Sequence, residues 1–154
     1  MDVTAEVRLD APTDRVWRTV ADLATYPAWL SIVHRAEPEP TPDAEGRPAW
    51  RVELRGRIGP LARSKRLRMV RTEADPGRAV RFERVEQDGH RHAAWVMEAH
   101  VAPDATAPPG AVRPVSLLVV RLRYAGSFGT GLLERALRDE IERGRERLAT
   151  ALSG

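Results

Sequence analysis

The side chains able to do chemistry in this sequence are few and far apart. Arg84, Tyr124 and Glu140 form one set. A guanidinium can polarise a ketone or bind an enolate, a phenol can donate to the same oxygen, and a carboxylate can move protons. Each also has a plainer reading. Arg84 lies near a strand end and reads as solvated, and Glu140 reads as a salt-bridge partner at the rim of its helix. His92, Glu98 and His100 form a second set. Glu98 and His100 are two apart, so on a strand they point the same way. On an inward face they would give a pair suited to general acid–base work, or part of a metal site. They do not share a face with Trp95 and Met97, so the apolar alternation turns them outward. A one-residue bulge would invert that assignment. His34 and His90 have no partner in the sequence. There is no cysteine, so thiolate nucleophiles, disulfides and cysteine-rich metal sites are excluded. No HExxH, glycine-rich phosphate loop or GxSxG is present. No metal site and no cofactor is expected.

These residues need strands and a helix to position them. Residues 2–9 alternate apolar and polar, the pattern of a strand with one buried face. Pro12 and Asp14 suit the start of a helix, and residues 25–30 read as a second, short one. Ile32 to Glu37 is a weak strand candidate, followed by an acidic, proline-rich loop. With that candidate counted, about six strands run in succession, ending with Leu118, Val120, Leu122 and Tyr124. Strands joined by short turns make an antiparallel meander, and such a sheet curls because strands twist. From Thr130 to Leu152 one helix is expected, with Thr130 as its N-cap. Leu133, Leu137, Ile141, Leu148 and Leu152 recur on one stripe. At about 35 Å this helix is the only element long enough to close the concave side of the sheet. The wall facing it would then be Trp50, Val52, Leu54, Leu67, Met69, Val80, Phe82, Trp95, Met97, Leu118, Val120, Leu122 and Tyr124. Leu137, Ile141 and Gly144 would close it. Trp50 and Trp95 also read simply as core. Lys65, Arg71, Arg84 and Tyr124 are the polar groups that share the inward parity. Gly144 interrupts the helical stripe, where glycine costs about 1 kcal/mol relative to alanine. It leaves room either for the close approach of a strand or for a ligand, and it marks the first place to look for ligand space.

At 154 residues the chain is expected to form one domain spanning 1–154, with a real core. Its 25 basic and 22 acidic side chains nearly balance, which argues against nucleic acid as a partner. The basic stretch from Arg63 to Arg71, extended by Arg55 and Arg57, reads as a solvated strand face, with an acidic partner surface or headgroup as the alternative. No apolar run is long enough to span a bilayer, and the N-terminus lacks the pattern of a signal peptide. The expected location is cytoplasmic. Oligomeric state is not legible.

The order of elements, together with two local motifs, resembles a known superfamily. The first motif is APTDRVWRTVADLATYPAWL, which carries a proline-led helix with a Val-Trp pair and then Asp22, Tyr26, Pro27 and Trp29. The second is the late apolar strand followed by an amphipathic C-terminal helix. Together they resemble the START-like, or helix-grip (SRPBCC), superfamily and within it the polyketide cyclase/dehydrase-like proteins. The resemblance covers essentially the whole chain. It implies an α+β helix-grip fold: a curved antiparallel sheet of six to seven strands wrapped around a long C-terminal helix, with two short helices after the first strand. It also implies a small hydrophobic or polyketide-like ligand between sheet and helix, and polyketide cyclisation or dehydration as the reaction if the protein is an enzyme. A non-catalytic lipid or hydrophobic-ligand carrier, or an accessory protein acting through its surface, is the alternative, because fold alone does not choose among these.

Overall fold

The structure, a computed structural model, describes residues 1–55, 64–110, 112–125 and 131–153. The expected Thr130 cap lies outside them. The elements run β1 (Asp2–Leu9), α1 (Thr13–Val20), a 3-10 helix (Leu23–Ala28), β2 (Val33–Pro38), β3 (Ala49–Leu54), β4 (Lys65–Asp75), β5 (Ala79–Arg84), β6 (Trp95–Pro103), β7 (Ser116–Tyr124), α2 (Gly131–Arg143) and α3 (Arg145–Ser153). Among the described residues seven strands form one antiparallel sheet, in the order β1-β7-β6-β5-β4-β3-β2. The meander therefore runs from β2 to β7, and β1 closes it against β7 rather than against β2.

The pleat decides which residues meet the helices. In β1, Val3, Ala5, Val7 and Leu9 are buried while Asp2, Thr4, Glu6 and Arg8 are exposed. Strand β2 departs from simple alternation between Val33 and Arg35, and strand β4 departs from it too. Its register against β5 shifts between Arg71 and Glu73, leaving Thr72 as the extra residue, so the inward set passes from Arg71 to Ala74. The inner face and the helices share one core that includes Trp50, Phe82, Met97, Val120, Ile141 and Leu148.

The opening motif is a packing device. Tyr26 is fully buried and its hydroxyl donates to Val20 O at 2.8 Å. Burial, with the charge of Asp22 added, pushes that hydroxyl's pKa well up. Asp22 caps the 3-10 helix by accepting from Ala24 N at 3.0 Å, and it also accepts from Trp50 Nε1 at 3.2 Å. The Tyr26 and Trp29 rings lie 4.8 Å apart, and Tyr26 meets Phe82 edge-on at 6.4 Å.

The C-terminal helix differs from expectation. It is nicked at Gly144 into α2 and α3, although the backbone bonds Gly144 N to Glu140 O (3.0 Å) and Leu148 N to Gly144 O (2.8 Å) carry the helical pattern across. The glycine itself has a local reason. A Cβ at residue 144 would lie 2.4 Å from Trp29 O and 3.2 Å from the Trp29 ring. Gly144 therefore marks no ligand space. The place left by its missing side chain is filled by Trp29, at the end of the 3-10 helix, so the close approach comes from there and not from a strand.

Candidate functional site

The polar inward residues gather toward one end of the sheet. Register sets Trp50 opposite Met69, Met69 opposite Arg84, and Trp95 opposite Tyr124. Phe82 faces Met97, so Arg84 stands beside Trp95 on the same face. Val52 faces Leu67, and Leu54 faces Lys65. Of the expected wall, Trp50, Val52, Leu54, Leu67, Met69, Val80, Phe82, Trp95, Met97, Leu118, Val120 and Tyr124 are buried, with Leu137 and Ile141 on the helix side; Leu122 is half-buried. Leu137 packs with Val3.

Three aromatic and cationic groups converge there. The Trp95 and Tyr124 rings lie 4.4 Å apart at a 39° tilt. Lys65 Nζ sits 4.9 Å from the centre of the Tyr124 ring and 5.5 Å from that of Trp95, and donates to Tyr124 Oη at 3.4 Å. The four tryptophans divide cleanly. Trp17 Nε1 donates to Ala79 O at 2.7 Å and Trp50 Nε1 to Asp22. Trp29 and Trp95, which are 0% and 5% exposed, leave their indole N–H groups without a partner among the described residues.

Arg84 is not solvated. Only 8% of its side chain is exposed. Nε donates to Glu86 Oε1 at 2.9 Å, Nη1 to Ala93 O at 3.5 Å, and Nη2 reaches His92 Nδ1 at 3.2 Å. The strand-end position misled because residues 85–94 fold back over it. His92 completes the arrangement through Nε2, 2.8 Å from Asp88 Oδ2. A guanidinium can only donate, so Nδ1 must accept and Nε2–H must donate to Asp88. The His90 N–H and the His92 ring hold the Asp88 carboxyl below its usual range.

The rest of the second set does point outward. Glu98 accepts from Arg81 at 2.7 Å and Arg123 at 3.3 Å on the outer face, and His100 is exposed. No bulge inverts β6. His92 is parted from them: it precedes β6, and the loop turns it to Arg84 rather than to Glu98. Glu140 is a rim group, accepting from Ser31 Oγ and lying 3.5 Å from Arg143. Arg71 donates to Ala21 O at 3.0 Å, which ties β4 to the end of α1. Among the described residues, no cluster of three or more His, Asp or Glu could hold a metal ion.

The basic strand face is largely neutralised. Arg68 is buried against Glu39 at 3.0 Å, and Arg55 pairs with Glu53 at 3.1 Å. Arg68, Glu39 and Glu53 line an outer groove of about 530 Å³ whose walls carry both signs of charge, including Arg35, Glu37, Arg51 and Arg66. Arg57 and Arg63 lie outside the described residues.

With this geometry in place, comparison with known proteins is decisive about kinship. A family model described as polyketide cyclase / dehydrase and lipid transport matches residues 1–153. The chain belongs to that family. Solved relatives agree on the START-like, helix-grip fold. A START superfamily protein from Mycobacterium smegmatis is 12% identical with a TM-score of 0.67, covering 99% of this chain and 97% of its own. A protein from Thermus thermophilus is 19% identical with a TM-score of 0.66, covering 98% and 99%. StfQ, a di-domain ARO/CYC protein of the steffimycin biosynthetic pathway, is 15% identical with a TM-score of 0.61; the match covers 98% of this chain and 49% of StfQ. No curated protein matches the chain. Identities this low carry the fold and nothing finer. No described helix of this family member is long and apolar enough to cross a membrane.

The unpaired indoles are what sequence reasoning missed. Trp95 was legible as an inward residue, but whether its N–H meets a carbonyl depends on neighbours brought from other strands. Asp88 and Glu86 were missed for the same reason.

Proposed function

We propose that this protein binds a small, mainly apolar molecule between the sheet and the C-terminal helices, with Trp95 as its polar anchor. The carrying observation is the Trp95 indole N–H, more than nine-tenths buried and without a partner. Buried donors are almost always satisfied, and an unmet one costs about 1–3 kcal/mol. A ligand oxygen arriving at Trp95 would recover that cost. The lining supports the same reading: apolar walls with a few polar groups at one end are the usual form of a small-molecule site. The fully buried and likewise unpaired Trp29 N–H offers a second donor.

The family description joins cyclases with lipid transporters, and a polyketide-like or lipid-like molecule fits the apolar wall equally well. Binding is the function we assign. A cyclisation or dehydration step would add only positioning and charge stabilisation at the same end, with Arg84 or Tyr124 holding an enolate. Three of the five Arg84 donors are already engaged by Glu86, Ala93 and His92, which favours the carrier over the catalyst.

Native mass spectrometry of the protein purified from its own host tests the proposal. We expect one co-purifying small molecule. In titrations with that molecule, Trp95→Phe should weaken binding about three- to tenfold, the value of one hydrogen bond. Trp17→Phe, whose indole already has a partner, should leave affinity unchanged. Absence of any bound molecule, together with no binding across polyketides, fatty acids and quinones, would overturn it.

A further inference from the structure

Lys65 is the only lysine in the chain, against 24 arginines. It opens β4 with inward parity and stands on the inner face opposite Leu54. Its ammonium is half-buried over two aromatic faces, and its one hydrogen bond, to Tyr124 Oη, is long at 3.4 Å. Among the described residues no carboxylate compensates it. Arg68 has Glu39, Arg81 has Glu98 and Arg84 has Glu86, while the half-buried Arg71 rests on the Ala21 carbonyl. Glu86, near the same end, is already taken by Arg84 Nε and by the Arg68 backbone N–H. The site therefore presents an uncompensated positive charge beside the unpaired Trp95 donor.

We infer that the ligand is an amphipathic anion, an apolar body ending in a carboxylate-type group, and that Lys65 is the residue that selects for the charge. The inference rests on the binding reading above and adds the ligand's chemical class to it. A neutral ketone, alcohol or ester can satisfy the Trp95 N–H, but it leaves the ammonium with only ring faces and a weak phenol contact. An anion satisfies both. Nζ lies 5.5 Å from the centre of the Trp95 ring, which places the ammonium and the indole at the same end of the wall. Charge-assisted hydrogen bonds are roughly twice as strong as neutral ones. A compact ammonium with three rotatable donors also suits a headgroup whose exact angle varies, where a planar guanidinium fork would demand one geometry.

A matched pair of probes isolates the charge. Anilinonaphthalene sulfonate and N-phenylnaphthylamine share the same rings and differ by the anionic group; dodecanoate and methyl dodecanoate, measured by displacement, repeat the contrast on a linear chain. We expect the anion of each pair to bind about tenfold tighter than its neutral partner. Lys65→Gln should abolish that preference while neutral-probe binding is kept, which also shows that the variant is folded. Lys65→Arg should keep most of the preference. Trp95→Phe should weaken dodecanoate and methyl dodecanoate, both of which carry an oxygen that can accept from the indole N–H. Equal affinity within the pairs, or a preference that survives Lys65→Gln, overturns the inference and leaves the binding proposal standing. Failure of all four probes to bind the unaltered protein counts against the cavity reading itself and removes the ground of the inference with it.

Discussion

Gly144 shows how much one missing side chain decides. Adding a methyl would gain about 1 kcal/mol of helix propensity. The same methyl would meet the Trp29 carbonyl oxygen at 2.4 Å, and backbone cannot swing aside as a flexible side chain can. Overpacking of this kind costs about 1–3 kcal/mol, so the clash should win. We expect Gly144→Ala to lose about 1–2 kcal/mol and to lower the melting temperature by several degrees, measured by calorimetry. A variant that melts at or above the parent temperature would mean that α2 and α3 can slide away from Trp29. The tryptophans carry a second lesson at this scale. Trp17 and Trp50 hold their indole N–H groups on Ala79 O and Asp22, while Trp29 and Trp95 do not. The four look alike in sequence, because the acceptors come from residues 28 or more positions away.

At the scale of elements, the outer face of β4 is held by a buried ion pair. Arg68 Nε donates to Glu39 Oε1 at 3.0 Å and Nη1 to Val85 O at 2.9 Å, so one side chain ties the end of β2 to the strand that follows β4. Breaking such a pair strands the other charge and costs about 3–5 kcal/mol, whereas replacing both partners by apolar groups is often neutral. Arg68→Ala should therefore lose about 3 kcal/mol in urea unfolding. Arg68→Met combined with Glu39→Leu should recover most of it. A loss under about 1 kcal/mol for Arg68→Ala would show that the pair is solvated and of little account. The basic run around Arg68 was visible in the sequence, but its meaning was not. Glu39 lies 29 residues away, behind a loop whose path no periodicity reports. The same holds for Arg84, whose cover of Glu86 and His92 comes from a loop rather than from its own strand.

For the whole molecule, carboxylates held by backbone N–H groups and by an arginine set the response to acid. The Asp2 carboxyl is held below its usual range by the Arg121 guanidinium, Asp43 by the Arg47 backbone N–H, Asp88 by that of His90 and Asp104 by that of Thr106. Each of these groups is depressed in the folded state. Their contribution is therefore present above the unfolded carboxylate range, near pH 4, and is lost as pH falls through the lower folded values. The melting temperature should fall as pH is taken from 5 to 3, with the steepest part below about 4. A flat or rising profile over that interval would show that these contacts are not kept in solution.

The sequence by itself determined the fold. Strand alternation, the proline-led helix, the Tyr26–Trp29 motif and the C-terminal stripe are local patterns, and local patterns fix which face of each element is apolar. Once those faces exist, burying them leaves few arrangements, so inward residues such as Trp50, Phe82 and Tyr124 could be named in advance. The outward turn of Glu98 and His100 followed from the same parity. What only the tertiary structure decided was the pairing of polar groups. Gly144 became a contact for Trp29, Arg84 acquired Glu86 and His92, and Lys65 was left over Trp95 and Tyr124 without a counter-ion. Apolar burial is non-directional and can be read from period alone. A hydrogen bond or ion pair needs a particular partner at a particular distance, and in this chain those partners come from other strands and from loops.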